Sequence, residues 1–220
     1  MLIQDLYERY SGLAFTKPSD QPVAILGLQE RLAKAFGTQA AYGCFAVYFA
    51  RGILWKRRDE KRMTQIVMPT SRPVPSWSFF SKEGPIKYLE LKFSEIDWAI
   101  EDFVNPLNRP RTAGSEKSAG LGDGGDWATL PGLARKIIMP QKDMKYNIIF
   151  DEEGEFKVNH LRCVVFGRDK IKSASEDLKY HVLVIQKDRR ALEPDIYRRV
   201  GVASLKPVHV ANEGSWVKIM

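Results

Sequence analysis

RPVPSWSFFSKEGPIKY, residues 72–88, sets three prolines (Pro73, Pro75, Pro85) and a glycine (Gly84) around an aromatic centre. Proline fixes φ and glycine permits a turn, so the backbone is stiffened and turned on both sides of Trp77, Phe79 and Phe80. The alternation of Ser76 and Ser78 with Trp77 and Phe79 predicts a short strand. Lys82 to Pro85 predicts a turn into the next one, where Ile86, Tyr88, Leu91 and Phe93 supply the apolar positions. The stretch fits a core hairpin. It also allows a second use: adjacent phenylalanines on a strand put one ring on each face, and one of those faces can line a pocket.

Upstream, Leu2 to Tyr10 has the spacing of a short helix with Leu2, Leu6 and Tyr10 on one stripe. Asp20 is placed to N-cap a second helix, with Pro22 in its first turn, apolar positions from Val23 to Phe36, and Gly37 to end it. Tyr42 to Ala50 is an almost unbroken apolar run continued by Ile53 to Trp55, which predicts strands buried on both faces or inside a closed sheet. Downstream of the central stretch, 86–93 predicts a strand, and 96–104 a strand or an amphipathic helix. Asn105 to Asp126 is rich in Pro, Gly and Ser, with too little apolar surface to pack; it is expected to be a mobile loop, either a surface insertion or a lid.

In the last third, strands are predicted at 133–139, 146–150, 161–166, 180–186, 197–205 and 216–219. Asp151 to Gly154 reads as a solvated turn with Phe156 starting the return strand. Many short strands behind two helices predict a mainly β (α+β) single domain over residues 1–220. Its expected form is an antiparallel β-barrel or strongly bent sandwich with two N-terminal helices packed on an end or edge. The parts are a helical segment (1–37), a first strand group (38–104), the loop (105–126) and a second strand group (127–220). A barrel of that size holds one small ligand.

The 220 residues, 44% hydrophobic, suffice for one domain with a substantial core. No window approaches the ~20 apolar residues of a membrane span and no signal-peptide core is present, so a cytoplasmic protein is expected. Cys44 and Cys163 each sit in an apolar run and read as buried thiols. The net charge of +7 comes from groups at Lys56–Arg58 with Lys61–Arg62, at Lys187 with Arg189–Arg190, and at Arg198–Arg199. No zinc-finger, helix-turn-helix or RNP-like pattern accompanies them, so nucleic acid is not the expected partner. A solvated basic face, or a preference for anionic small molecules, explains the same charge. His160, His181 and His209 are isolated and lack metal-ligand spacing, and no nucleophile elbow, phosphate loop or dinucleotide fingerprint occurs. Neither a cofactor nor a metal is expected.

PSWSFFS, followed by an acidic residue and glycine, resembles the PSWSWAS-x-DG signature found downstream of the HET domain in fungal heterokaryon-incompatibility proteins. YERYSGLAFTKPSD (7–20), ILGLQERLAKAF (25–36), RGILW (51–55) and YRRVGVASL (197–205) resemble further segments of that region, in the same order. Phe45 and Val47 depart from it, standing where the family's Y-x-A-G-x-W pattern has glycine and tryptophan. The HET domain that precedes this region in the family does not occur in the 220 residues, so the resemblance implies the downstream region as a standalone unit. Standalone fungal proteins of this kind in natural-product pathways include norbornene-forming Diels-Alderases of sordarin-type diterpenoid biosynthesis.

That resemblance implies two alternatives. One is a non-catalytic regulatory module that binds a ligand or a protein. The other, towards which the expectation leans, is a cofactor-independent cyclase (pericyclase) of natural-product biosynthesis. It would fold the diene and dienophile of a small hydrophobic, terpenoid-like substrate together in a rigid apolar pocket for an intramolecular Diels-Alder cycloaddition. Candidates for the substrate-binding wall are Trp77, Phe79, Phe80, Phe45, Tyr48 and Trp55. Catalytic candidates, as hydrogen-bond donors to a dienophile carbonyl, are Tyr88, His160 and Arg162, the last two because alternate residues share one face of a strand.

Overall fold

The computed structural model describes residues 2–68, 74–108, 126–170 and 178–220. Short elements come first: α1 (Leu2–Ser11), α2 (Gln21–Ala24) and α3 (Leu26–Ala35), then β1 (Ala40–Ala41), β2 (Cys44–Phe45) and α4 (Phe49–Gly52). They are followed by β3 (Trp55–Arg57), β4 (Thr64–Gln65), β5 (Lys82–Glu83), β6 (Ile86–Tyr88) and β7 (Ile96–Trp98). The later strands are β8 (Leu130–Ile137), β9 (Ile148–Phe150, after α5, Met144–Asn147), β10 (Leu161–Asp169), β11 (Tyr180–Lys187), β12 (Ile196–Leu205) and β13 (Val210–Ile219).

The protein is mainly β with helices at its start. Five strands pair on both sides: β8 with β10 and β13, β10 with β11, β11 with β12, and β12 with β13. The pairing thus runs full circle. It is antiparallel except at a short parallel join, where Ile196 and Tyr197 meet Lys218 and Ile219. β7 adds to β10 and β9 to β12. Alternate residues of a strand point to opposite faces, and here both faces are covered. Val164, Phe166, Leu183, Ile185, Val202 and Ile219 pack with Tyr42, Phe49, Trp77 and Phe103. Leu161, Cys163, Val165, Val182, Val184 and Leu205 pack with Ile148, Phe150 and Met144. Two-sided burial explains why these strands read as unbroken apolar runs. A third cluster holds α1 against the short strands through Ile3, Tyr7, Phe45, Trp55, Phe79, Phe80, Ile86 and Tyr88.

Several local expectations are overturned. Phe79–Ser81 is a 3-10 turn rather than a strand, N-capped by the Ser78 hydroxyl, which accepts from the Phe80 amide at 3.1 Å. Serine side chains that hydrogen-bond nearby backbone compete with strand pairing. The rings of Phe79 and Phe80 consequently lie 4.4 Å apart in one cluster instead of on two faces. The run from Tyr42 to Ala50 is a tight hairpin followed by helical turns. Its two central residues, Tyr42 and Gly43, have φ of 54° and 77°, the backbone that two-residue hairpins favour. A Cβ on Gly43 would lie 2.5 Å from Phe79 Cε1, so the turn is pressed against the core.

On α1 the buried stripe is Ile3 and Tyr7 with Gln4 and Ser11, while Leu2 is exposed. The reason is polar: Glu8 Oε1 and Ser11 Oγ accept the Tyr88 and Ile86 amides at 2.8 and 2.9 Å, which satisfies part of the edge of β6 and fixes the face of α1 that turns inward. The second helix breaks at Ile25 and Asp20 makes no side-chain cap bond. The segment 96–104 is a strand only as far as Trp98, and Phe156 starts no strand. Of the expected loop at 105–126, residues 109–125 lie outside the described residues, as does Pro73. Contrary to that expectation, the described start of the stretch packs, Pro106 and Leu107 being buried in a 3-10 turn, and Trp127 after it is buried as well.

The charge reading is corrected at two positions. Asp151 is not a solvated turn residue and Arg199 is not part of a basic face: both are buried and paired, Nε to Oδ2 at 2.8 Å. Arg199 also donates to the Ile53 carbonyl at 2.8 Å and to that of Trp55, and its guanidinium lies 3.2 Å from the Trp55 ring centroid. Its amide donates to Ser76 Oγ at 2.9 Å, and Ser76 in turn donates to the Met220 carbonyl. Ser76 therefore ties the central stretch to β12 and to the residue that follows β13.

Candidate functional site

An apolar groove of about 470 Å³ opens where α4 and the turn before it meet the segment after β7. Roughly 300–1,000 Å³ is usual for small-molecule sites. One wall is Ala46 to Arg51; the other is Phe93, Trp98, Ile100, Phe103, Val104, Asn105 and Asn108. Phe49 and Phe103 are buried and line it, and behind them the core is continuous, with Phe49 5.7 Å from Trp77 and Phe103 4.5 Å from Phe166 between ring centroids. Val47, Phe93, Ile100 and Val104 are exposed along it. Exposed apolar side chains gathered in this way mark an interaction site more often than scattered ones do. Among the described residues the Trp98 indole Nε1–H has no hydrogen-bond partner.

Tyr48 and Arg51 also border a smaller chamber of about 20 Å³, lined further by Ile3, Gln4, Gly43, Phe45, Gly52 and Tyr88. That is room for one water-sized group. Gln4 is 7% exposed; its Oε1 accepts from Arg51 Nε at 2.9 Å, and its Nε2 has no partner among the described residues. Among the described residues no acidic side chain lines either cavity and no carboxylate pairs with Arg51. Burial, followed by the nearby Cys44 and Tyr7, raises the Tyr88 phenol well above its ordinary value, so it stays protonated. Burial likewise pushes the Cys44 thiol up to about 12, with Arg199 opposing the shift.

The expected site residues divide. Phe45, Tyr48 and Tyr88 line the chamber, and Tyr48 lines the groove as well. Trp77, Phe79, Phe80 and Trp55 are at most 1% exposed and line neither cavity. The polar atoms of both tryptophans are already engaged, Trp55 Nε1 with the Trp77 carbonyl at 3.0 Å and Trp77 Nε1 with the Ala128 carbonyl at 3.1 Å. His160 and Arg162 do not share a strand face. His160 is exposed and ends the 3-10 turn before β10, and Arg162 Nη1 donates to the carbonyls of Asn159 and Leu161 at 3.1 and 2.8 Å. Gln4, Phe49, Arg51, Trp98 and Phe103 were not anticipated. One signal was available for Arg51, a charge interrupting the apolar run between Tyr42 and Trp55.

A second, more open cleft of about 880 Å³ carries Arg62, Lys142, Lys145 and Lys157 around Met144, Phe150 and Phe156. Among the described residues no group of three or more His, Cys, Asp or Glu is arranged to hold a metal ion, and no helix is long and apolar enough to cross a membrane. No protein-family model matches the chain, and neither curated proteins nor solved structures give a significant match.

Proposed function

We propose that the protein is a cofactor-independent cyclase whose groove folds a small terpenoid-like diene and dienophile together for an intramolecular Diels-Alder reaction. The observation that carries this reading is the groove itself, apolar, backed by a continuous aromatic core and of small-molecule size. The resemblance of residues 75–81 and 197–205 to the HET-downstream region, which occurs in standalone fungal cyclases, supplies the reaction class. Chemically the requirement is modest: a rigid wall converts a floppy chain into a reactive conformer, and effective molarity does the rest. Of the proposed donors, Tyr88 alone has a place beside this site, lining the inner chamber; His160 and Arg162 belong to another part of the surface.

A binding module is the second reading, favoured by the exposure of Val47, Phe93, Ile100 and Val104 along the groove. The two separate in one experiment. Purified protein is incubated with a linear terpenoid that bears a diene and a conjugated carbonyl, and the rate and the ratio of cycloadduct isomers are followed by chromatography. Faster or stereochemically cleaner conversion, lost in Ala50→Trp, which fills the groove, supports the cyclase. Uptake of the compound with rate and ratio unchanged supports the module.

A further inference from the structure

The groove is lined mainly by apolar side chains together with Tyr48, Asn105 and Asn108, and among the described residues its one charged lining residue is Arg51. Arg51 sits between groove and chamber with its Nε engaged by Gln4 Oε1, and its terminal nitrogens face no protein acceptor among the described residues. The same contact turns the Gln4 amide so that Nε2, a buried donor, is left without a partner among the described residues. A half-buried guanidinium beside aromatic walls is poorly solvated, and an unpaired amide donor is costly in the same way. Both deficits have one remedy, an oxygen anion that accepts from the two groups together. The planar fork of arginine matches a carboxylate in particular.

We infer that the ligand of this groove carries a carboxylate at one end of an apolar body. The carboxylate pairs with Arg51 at the mouth of the chamber and one of its oxygens accepts from Gln4 Nε2, while the apolar body lies along Phe49 and Phe103 towards Ile100. This inference rests on the groove taking a small apolar molecule, whether or not it performs chemistry on it. It makes Arg51 and Gln4 the residues that choose the ligand's headgroup.

The test compares abietic acid, a twenty-carbon diterpene acid, with its methyl ester, followed by quenching of tryptophan fluorescence. Binding of the acid at least about tenfold tighter than the ester, the scale of one charge-assisted hydrogen bond, is expected. Arg51→Gln should abolish the preference, Arg51→Lys should retain part of it, and Gln4→Leu should reduce it less than Arg51→Gln does. Thermal melting of each variant confirms that it is folded, and Arg51→Lys keeps the charge where Arg51→Gln proves unstable. Equal affinity for acid and ester, or a preference unaffected by Arg51→Gln, overturns the inference and leaves the groove as an apolar site. No binding of either compound overturns the groove reading as well.

Discussion

Arg199 and Arg51 are both removed from full contact with water, yet the molecule treats them in opposite ways. Arg199 is completely enclosed, with Asp151, two carbonyls and the face of Trp55 meeting its guanidinium. Burial pulls its pKa down and the Asp151 carboxylate opposes that, so the charge is held inside by its partners. Arg51 is half-buried with a single amide oxygen as partner among the described residues. The first arrangement joins segments distant in sequence and has no capacity left for a ligand. The second has unused donors facing an apolar cavity, which is what recognition requires. Buried charge by itself therefore says little about function; the number of unmet hydrogen bonds does.

The largest expected effect tests the enclosed side. Asp151→Asn leaves Arg199 buried without a counter-charge and should cost about 3–5 kcal/mol, read as a fall in the denaturant midpoint. Arg51→Gln should cost under about 1 kcal/mol; equal losses for the two would erase the contrast. Next comes Ser76→Ala, which removes the acceptor of the Arg199 amide and the donor to the Met220 carbonyl, for about 1–3 kcal/mol in the same assay.

The thiols give a pH test. Burial pushes both Cys44 and Cys163 up to about 12 from the ordinary 9.0. The unfolded chain therefore releases these protons first, and the stability they contribute is fully present below pH 9.0 and lost as pH rises towards about 12. Urea midpoints should fall over that window, less steeply in Cys163→Ala. A flat profile would show the thiols to be in contact with water. Smallest in stability is Ile100→Asp at the exposed groove wall, within about 0.5 kcal/mol of the parent. It should nevertheless remove uptake of an apolar ligand in a fluorescence titration; unchanged uptake would move the site away from this groove.

The long strands were legible because two-sided burial writes itself as continuous apolar sequence: Leu161 to Phe166, Tyr180 to Gln186 and Tyr197 to Leu205 all lie within observed strands. The helical start and the buried cysteines were legible for similar reasons, periodicity in one case and apolar neighbours in the other. The turn at Phe79–Ser81 was not, because alternation alone cannot tell a pleated strand from a turn held by serine hydroxyls. Nor could the sequence separate Trp77, which fills the core, from Phe49 and Phe103, which line a groove, since all are aromatic and all are buried. The pairing of Arg199 with Asp151 spans 48 residues, and that of Arg51 with Gln4 spans 47. Sequence by itself determined which residues leave water, since transfer free energy belongs to each side chain. Which polar groups they take with them, and which of those stay unpaired, was decided only by the tertiary structure, because a hydrogen bond depends on distance and angle between atoms that the chain order does not bring together.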